Sequence, residues 1–384
     1  MKIADRIKNL PPYVFATVEA RIAAKKAAGV DVISLGIGSP DLPAPRPIID
    51  AMYQEALKPN THGYAGYYGT AQLRNAICTY YGKRFGVELD PESEVRPLIG
   101  SKEGLANMAL AFVDPGDIVL ASDPGYPTYR MGAVMAGGDF YAVPLLEENN
   151  WLPVLEDVPS DIAARATMLW LNYPNNPTGV GAPLDFMQRA VDFCREYDIV
   201  LCYDNPYCDL VFDGYVAPSI LQIPDAKDVA VEFNSLSKTY NMAGWRVGMA
   251  VGNAQAIDAL TTIKTNVDSG IFLPLQAAAA VALTGDQSWI AERNLIYQRR
   301  RDIILDWLPR LGMSAQPPQG GLYVWARVPA GVDCEAYAIE MLDKAGVWLT
   351  PGTAFGEYGD GFLRLSVCVP DERLIEAGER LSSV

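Results

Sequence analysis

From residue 95 to about residue 285 the chain alternates between short apolar runs and amphipathic stretches, and no other feature restricts its fold as much. Runs rich in β-branched and aromatic residues at Val95–Ile99, Asp117–Ala121, Phe140–Leu145, Thr167–Leu171, Ile199–Tyr203, Val229–Phe233 and Arg246–Val251 read as strands. Helical patterns lie between most of them, notably Lys102–Val113, Leu184–Tyr197 and Ala254–Thr265. The alternation predicts an α/β fold with a mostly parallel, seven-stranded sheet covered by helices on both faces. Ligand sites in such sheets gather at the carboxyl ends of the strands. The residues just after each run are therefore where chemistry is expected.

The flanks read differently. Leu10-Pro11-Pro12-Tyr13 is an extended turn, followed by a helix over Val14–Ala28 and a short strand, Val32–Leu35. That strand ends in Gly36-Ile37-Gly38-Ser39-Pro40-Asp41, where the missing third glycine and Pro40 argue against a dinucleotide loop. Two glycines at a strand end still let the backbone approach a ligand closely. Residues 47–58 and 70–85 read as helices, and the loop between them holds Tyr64, Tyr67 and Tyr68, too aromatic to be simply solvated. After residue 287 come a helix over Trp289–Leu311, a strand at Leu322–Trp325, a helix over Cys334–Lys344, strands near Val347 and at Phe362–Val367, and a helix over Glu372–Leu381. With half of its 384 residues apolar, the chain is expected to form two domains. A large ligand-binding domain would span 47–286, and a smaller one would combine 1–46 with 287–384.

Charge and histidine content exclude whole classes of function. There are 46 acidic residues against 31 basic, a net charge of −15, which repels nucleic acid and anionic membrane surfaces alike. The one basic run, Arg299-Arg300-Arg301, reads as a solvated helix face. Met1–Asp5 has no apolar signal core, and no stretch approaches the roughly 18 apolar residues of a membrane span. The six cysteines include no Cys-x-x-Cys pair, so neither a disulfide framework nor a metal site is expected, and the reducing cytoplasm is the expected home. His62 is the only histidine. A His-Glu-x-x-His metalloprotease needs two histidines, and the Gly- and Tyr-rich loop around His62 argues against a triad member there, so proton transfer falls to lysine, tyrosine or a carboxylate.

Lys238 stands out at the end of the sixth run, in Asn234-Ser235-Leu236-Ser237-Lys238-Thr239-Tyr240. Ser235, Ser237 and Arg246 beside it are donors suited to a phosphate. An amine next to a phosphate cradle points to pyridoxal phosphate held as a Schiff base, because lysine condenses with an aldehyde. A surface lysine in a polar turn has the same local pattern, so the other strand ends must decide. Gly100-Ser101-Lys102 opens a helix directly after a strand, where free N–H groups can hold a phosphate, although a plain turn looks much the same. Asp123-Pro124-Gly125-Tyr126 offers a ring for stacking or simply a buried tyrosine. Asn172 to Gly179 is a rigid polar turn. Asp204, ending an apolar run ahead of Tyr207, should be buried and paired, and a cationic ring nitrogen is a suitable partner.

Taken together and in this order, these motifs closely resemble the class I and II aminotransferases of pyridoxal phosphate fold type I, over essentially the whole chain. Asn9-Leu10-Pro11-Pro12-Tyr13, Ile99-Gly100-Ser101-Lys102-Glu103-Gly104 and Ser235 through Arg246 are most similar to the LL-diaminopimelate aminotransferase branch. The resemblance implies that Lys238 carries the cofactor and shuttles a proton, and that Asp204 keeps the ring nitrogen protonated. Tyr207 and Asn176 would hydrogen-bond the ring oxygen and Tyr126 would stack on the ring. Ser101, Lys102, Ser235, Ser237 and Arg246 would surround the phosphate, with Tyr64 arriving from the other subunit of a homodimer. Arg364 would clamp the substrate α-carboxylate, assisted by Gly38, while Tyr13, Lys102 and Tyr323 are the candidates for the far end of the substrate. The implied reaction is a ping-pong exchange between an amino acid and a 2-oxo acid. LL-diaminopimelate and 2-oxoglutarate, a pair belonging to lysine biosynthesis, are the first expectation. A broad enzyme for aspartate, alanine or glutamate is the alternative, ahead of a lyase or a non-enzymatic regulator. Two departures from the branch, Ser39 and Gly320-Gly321-Leu322-Tyr323, bear on substrate choice, and the glycine pair is expected to open room for a longer side chain.

Overall fold

The computed structural model describes residues 1–4, 7–8, 10 and 14–384. In chain order its strands are β1 Ile33–Ser34, β2 Val95–Leu98, β3 Ile118–Asp123, β4 Asp139–Pro144, β5 Ala166–Asn172, β6 Val200–Asp204, β7 Ala230–Ser235, β8 Gly248–Gly252, β9 Ser314–Ala315, β10 Tyr323–Arg327, β11 Val347–Trp348, β12 Thr350–Pro351 and β13 Phe362–Ser366. β2 to β8 form one seven-stranded sheet in the order β2-β8-β7-β6-β5-β3-β4. β3 to β7 run parallel, and β8 lies antiparallel between β2 and β7. All seven runs read from the sequence are strands of this sheet.

Because side chains alternate across a strand, each strand feeds two cores. Ile118 and Leu120 of β3 face a core shared with helices Ala71–Phe85, Leu184–Tyr197 and Leu273–Thr284, while Val119 and Ala121 face one shared with helices Ser101–Phe112, Thr128–Ala136 and Ala254–Val267. Each fully buried aliphatic side chain contributes about 1.5–3 kcal/mol, so a sheet covered on both faces fixes its strand ends rigidly. A third core joins Ile22 and Val32–Leu35 to residues between Tyr297 and Leu381, together with Tyr207, Leu210 and Phe212 from the segment after β6. There β1 pairs in parallel with β11, and β12-β13-β10-β9 form an antiparallel sheet.

Three local expectations need correction. The last strand begins at Gly248 instead of Arg246, because Arg246 turns through a left-handed conformation (φ 57°) that points its guanidinium beneath Gly100. The helix from Trp289 ends at Trp307 and tightens into a 3₁₀ turn over Leu308–Leu311, where Pro309 has no N–H to continue the helical ladder. Of Arg299-Arg300-Arg301 only Arg299 is on a solvated face: Arg300 is 5% exposed and bonded to Asp41 (2.8 Å) and Asp371 (3.1 Å), and Arg301 is 4% exposed and paired with Asp213. These pairs tie the helix to both flanks of the chain.

Candidate active site

The carboxyl ends of β3, β5, β6 and β7 open on a single cavity of about 310 Å³. Every site residue proposed from the sequence lines it except Tyr64 and Tyr13. Tyr64 is 93% exposed, and Tyr13 lies outside the described residues.

Lys238 sits in a single helical turn, Leu236–Thr239, that begins as β7 ends. Ser235 starts the turn, its Oγ accepting from the Ser237 N–H (3.2 Å). Lys238 Nζ donates to the Gly38 carbonyl (2.5 Å) and lies 5.9 Å from the centre of the Tyr207 ring. Arg246 reaches back to the Ser237 hydroxyl (3.4 Å) and to the Ala243 carbonyl (3.0 Å). Gly100, at φ 72°, is required beside it, since a Cβ there would overlap the guanidinium. Ser101 and Lys102, at the start of the following helix, thus face Arg246, Ser235 and Ser237 across one end of the cavity. Three hydroxyls, two cations and free helix-end N–H groups form a donor set that fits a phosphate.

Asp204 ends β6 and is 5% exposed. Its Oδ2 accepts from the Tyr129 hydroxyl (2.7 Å), and its Oδ1 is buried with no hydrogen-bond partner. Burial raises its pKa to about 7, against the lowering effects of the Tyr129 hydrogen bond and the Lys238 charge. A buried carboxylate oxygen with nothing to accept from costs free energy, and a protonated pyridine nitrogen supplies both the missing proton and the missing charge. The residues present therefore fit pyridoxal phosphate at both ends, ring nitrogen and phosphate.

The opposite wall is built from the Asn-Tyr-Pro-Asn-Asn turn after β5. Asn172 donates to the Asp204 carbonyl (2.7 Å) and accepts from the Asn176 N–H (2.7 Å), which locks the turn against β6. The Asn176 side-chain oxygen then accepts from Arg364 Nη1 (2.9 Å), whose Nη2 donates to the Gly36 carbonyl (2.5 Å). Arg364, 3% exposed on β13, is sandwiched by the rings of Tyr323 (3.9 Å) and Phe355 (4.5 Å). Gly38 leaves no room for a Cβ, which would overlap the Tyr323 ring. The Gly320-Gly321 pair does not open the cavity: neither residue lines it, and a Cβ on Gly320 would meet the Leu210 carbonyl at 2.8 Å.

Sequence reasoning missed four residues. Tyr129 is three positions after Tyr126, a spacing that puts both rings on one side of the helix start, 5.8 Å apart. Asn172 opens the polar turn after β5, and only its bonds to Asp204 and Asn176 distinguish it from an ordinary turn residue. Glu19, on the helix Val14–Ala27, also lines the cavity. Arg293, 3% exposed, donates to the carbonyls of Lys238 (2.9 Å), Thr239 (2.5 Å) and Asp209 (2.9 Å), and nothing in its own neighbourhood of the sequence announced this.

A lysine at a strand end, an acid set for a ring nitrogen and a phosphate cradle on a mostly parallel sheet define a fold type I pyridoxal-phosphate-dependent enzyme. The family described as aminotransferase class I and II matches residues 30–381. An LL-diaminopimelate aminotransferase of Moorella thermoacetica is 49% identical over 384 residues, covering 100% of this chain and 98% of the relative. One of Desulforudis audaxviator is 51% identical, covering 98% and 96%. Among solved structures, substrate-bound BacF of Bacillus subtilis superposes with a TM-score of 0.96 at 36% identity, covering 100% and 98%. The chain belongs to the class I and II aminotransferases and is a pyridoxal-phosphate-dependent transaminase acting on an amino acid and a 2-oxo acid.

Proposed function

We propose that the protein moves an amino group from LL-diaminopimelate to 2-oxoglutarate, with Lys238, Asp204 and Tyr207 as its catalytic residues. Full-length relatives named for LL-diaminopimelate, at 49% and 51% identity, support the substrate. The observation that carries the site is the unpaired Oδ1 of Asp204 in the same cavity as Lys238 Nζ and Arg364.

Pyridoxal phosphate, when bound, supplies an aldehyde that accepts the amino group and a ring that withdraws the electron pair left on the substrate α-carbon. Asp204 holds the proton on the ring nitrogen, which keeps the ring electron-withdrawing. Tyr207 and Asn176 donate to the ring oxygen, and Tyr126 packs on the ring face. Ser101, Lys102, Ser235, Ser237 and Arg246 bind the phosphate. Arg364 takes the substrate α-carboxylate in a two-pronged contact, with Gly38 and Asn176 beside it. Lys238 Nζ would hold the cofactor as a Schiff base and, as the cavity's amine, would serve as the base that takes and returns the substrate α-proton. Tyr323, Lys102 and, outside the described residues, Tyr13 serve the far end of the substrate.

The same reading gives a cytoplasmic homodimer with shared sites, and a division into 47–286 and 1–46 plus 287–384. Exposed Tyr64, Tyr67 and Tyr68 on the loop before helix Ala71–Phe85, with exposed Phe272 close to His62, support a partner subunit over this surface. Among the described residues no helix is long and apolar enough to cross a membrane.

A panel of amino donors assayed with 2-oxoglutarate tests the substrate. LL-diaminopimelate is expected to give the highest kcat/KM. A value no better than that of alanine or aspartate leaves only a broad aminotransferase.

A further inference from the structure

The cavity's charges leave one acid over. Arg364, Arg246, Lys102 and Lys238 are its cations, and each has a task at the α-carboxylate, the phosphate or the reacting nitrogen. Asp204 is the acid for the ring nitrogen. Glu19 is the remaining acid among the lining residues, and it is exposed. It lies one turn before Ile22, whose buried side chain fixes this helix against the smaller core. Among the described residues no cation or hydrogen-bond donor pairs with the Glu19 carboxylate.

An unpaired carboxylate at the mouth of an anion-binding cavity works against a substrate whose far end is only a carboxylate. It suits a substrate whose far end carries an ammonium. LL-diaminopimelate has an α-amino-acid group at each end, so when one end reacts at Lys238 the other presents an ammonium and a carboxylate. 2-Oxoglutarate presents a carboxylate alone. We infer that Glu19 is a specificity-determining residue that accepts a charge-assisted hydrogen bond from the distal ammonium of the amino donor. This rests on the proposed substrate. It gives Glu19 opposite effects on the two halves of the reaction: attraction for the diamino donor, repulsion for glutamate and 2-oxoglutarate.

Glu19→Gln keeps the shape and removes the charge at an exposed position, where the fold is not at stake. Each half-reaction is followed by stopped-flow absorbance of the cofactor-loaded protein mixed with one amino acid and no acceptor. The expected result is that Glu19→Gln lowers the apparent second-order rate constant for LL-diaminopimelate about tenfold, as for loss of one charged hydrogen bond, and leaves that for glutamate unchanged or faster. Calorimetric binding of LL-diaminopimelate to cofactor-loaded Lys238→Ala protein, which does not turn over, should weaken by a similar factor when Glu19→Gln is added. Equal losses for both amino acids, or no change for LL-diaminopimelate, overturn the role of Glu19. The wild-type preference for LL-diaminopimelate over alanine reports separately on the substrate. If that preference is absent but the variant still loses LL-diaminopimelate relative to glutamate, Glu19 reads a distal ammonium in an enzyme of broader use.

Discussion

Tyr129 donates its hydroxyl proton to Oδ2 of Asp204 at 2.7 Å, and its ring lies 5.0 Å from that of Trp170 in a nearly parallel stack. The stack fixes the phenol, and the phenol fixes the carboxylate with its free oxygen left for the cofactor ring. Tyr129→Phe keeps the stack and deletes the donor. Loss of a hydrogen bond to a charged group costs about 1.5–3 kcal/mol, so pyridoxal phosphate should bind roughly tenfold or more weakly in equilibrium dialysis. Unchanged affinity would mean that Asp204 needs no second support.

The cofactor-free protein should reveal Asp204 through its pH dependence. Its pKa is about 7 in the folded protein against an ordinary value of 3.8. Between those values the folded carboxyl keeps a proton that the unfolded chain has lost, so the raised pKa costs stability as pH climbs from about 4 to 7. The limit is about 1.4 kcal/mol per pH unit, or about 4 kcal/mol over the window. Glu232, also raised to about 7 by burial, adds a slope of the same sign. Urea melts of Asp204→Asn apoprotein should therefore show a shallower fall over this range than wild type. Parallel curves would remove Asp204 from the account of apoprotein stability.

Arg293 connects the helix Trp289–Trp307 to the backbone that carries Lys238. Burial lowers its pKa to about 10, against the raising effects of Tyr297 and Asp209, and its guanidinium donates to the carbonyls of Lys238, Thr239 and Asp209. Arg293→Met leaves those carbonyls without their donor and should cost about 2–4 kcal/mol in chemical denaturation. Arg293→Lys, which retains charge but not the planar fork, should recover only part of this. A loss below about 0.5 kcal/mol, the usual range for surface changes, would show that the three bonds contribute nothing net.

If Tyr64 completes the site of a neighbouring subunit, two defective chains should complement. Lys238→Ala supplies a sound Tyr64, and Tyr64→Glu supplies a sound Lys238. Denatured and refolded together in equal amounts, half of the dimers are mixed and each has one intact site, giving about a quarter of wild-type activity. No recovery, or a fully active monomer in sedimentation, would contradict the shared site.

The sheet was legible because its strands are apolar runs with clear ends, and the site was legible because the residues after those ends are chemically distinctive. What stayed hidden depends on partners distant in the chain. Lys238 meets the Gly38 carbonyl across 200 residues, and Tyr129 meets Asp204 across 75. Arg300 looks like a surface residue until Asp41 and Asp371 arrive from opposite flanks. Trp245 and Val247 are good strand formers, so the pattern extends a strand through Arg246, whose left-handed backbone instead delays β8 to Gly248 and turns its guanidinium toward Gly100. The Gly320-Gly321 pair suggested open space, but glycine there admits the Leu210 carbonyl, not a ligand.

The most direct test of Lys238 is covalent. Cofactor-loaded protein is reduced with borohydride, digested, and its peptides are mapped by mass spectrometry. The pyridoxyl group is predicted on the peptide containing Lys238 and to be absent from the Lys238→Ala protein treated in the same way. Attachment to Lys102, which shares the cavity, or to Lys264, which is buried between Glu103 and Asp268, would contradict it.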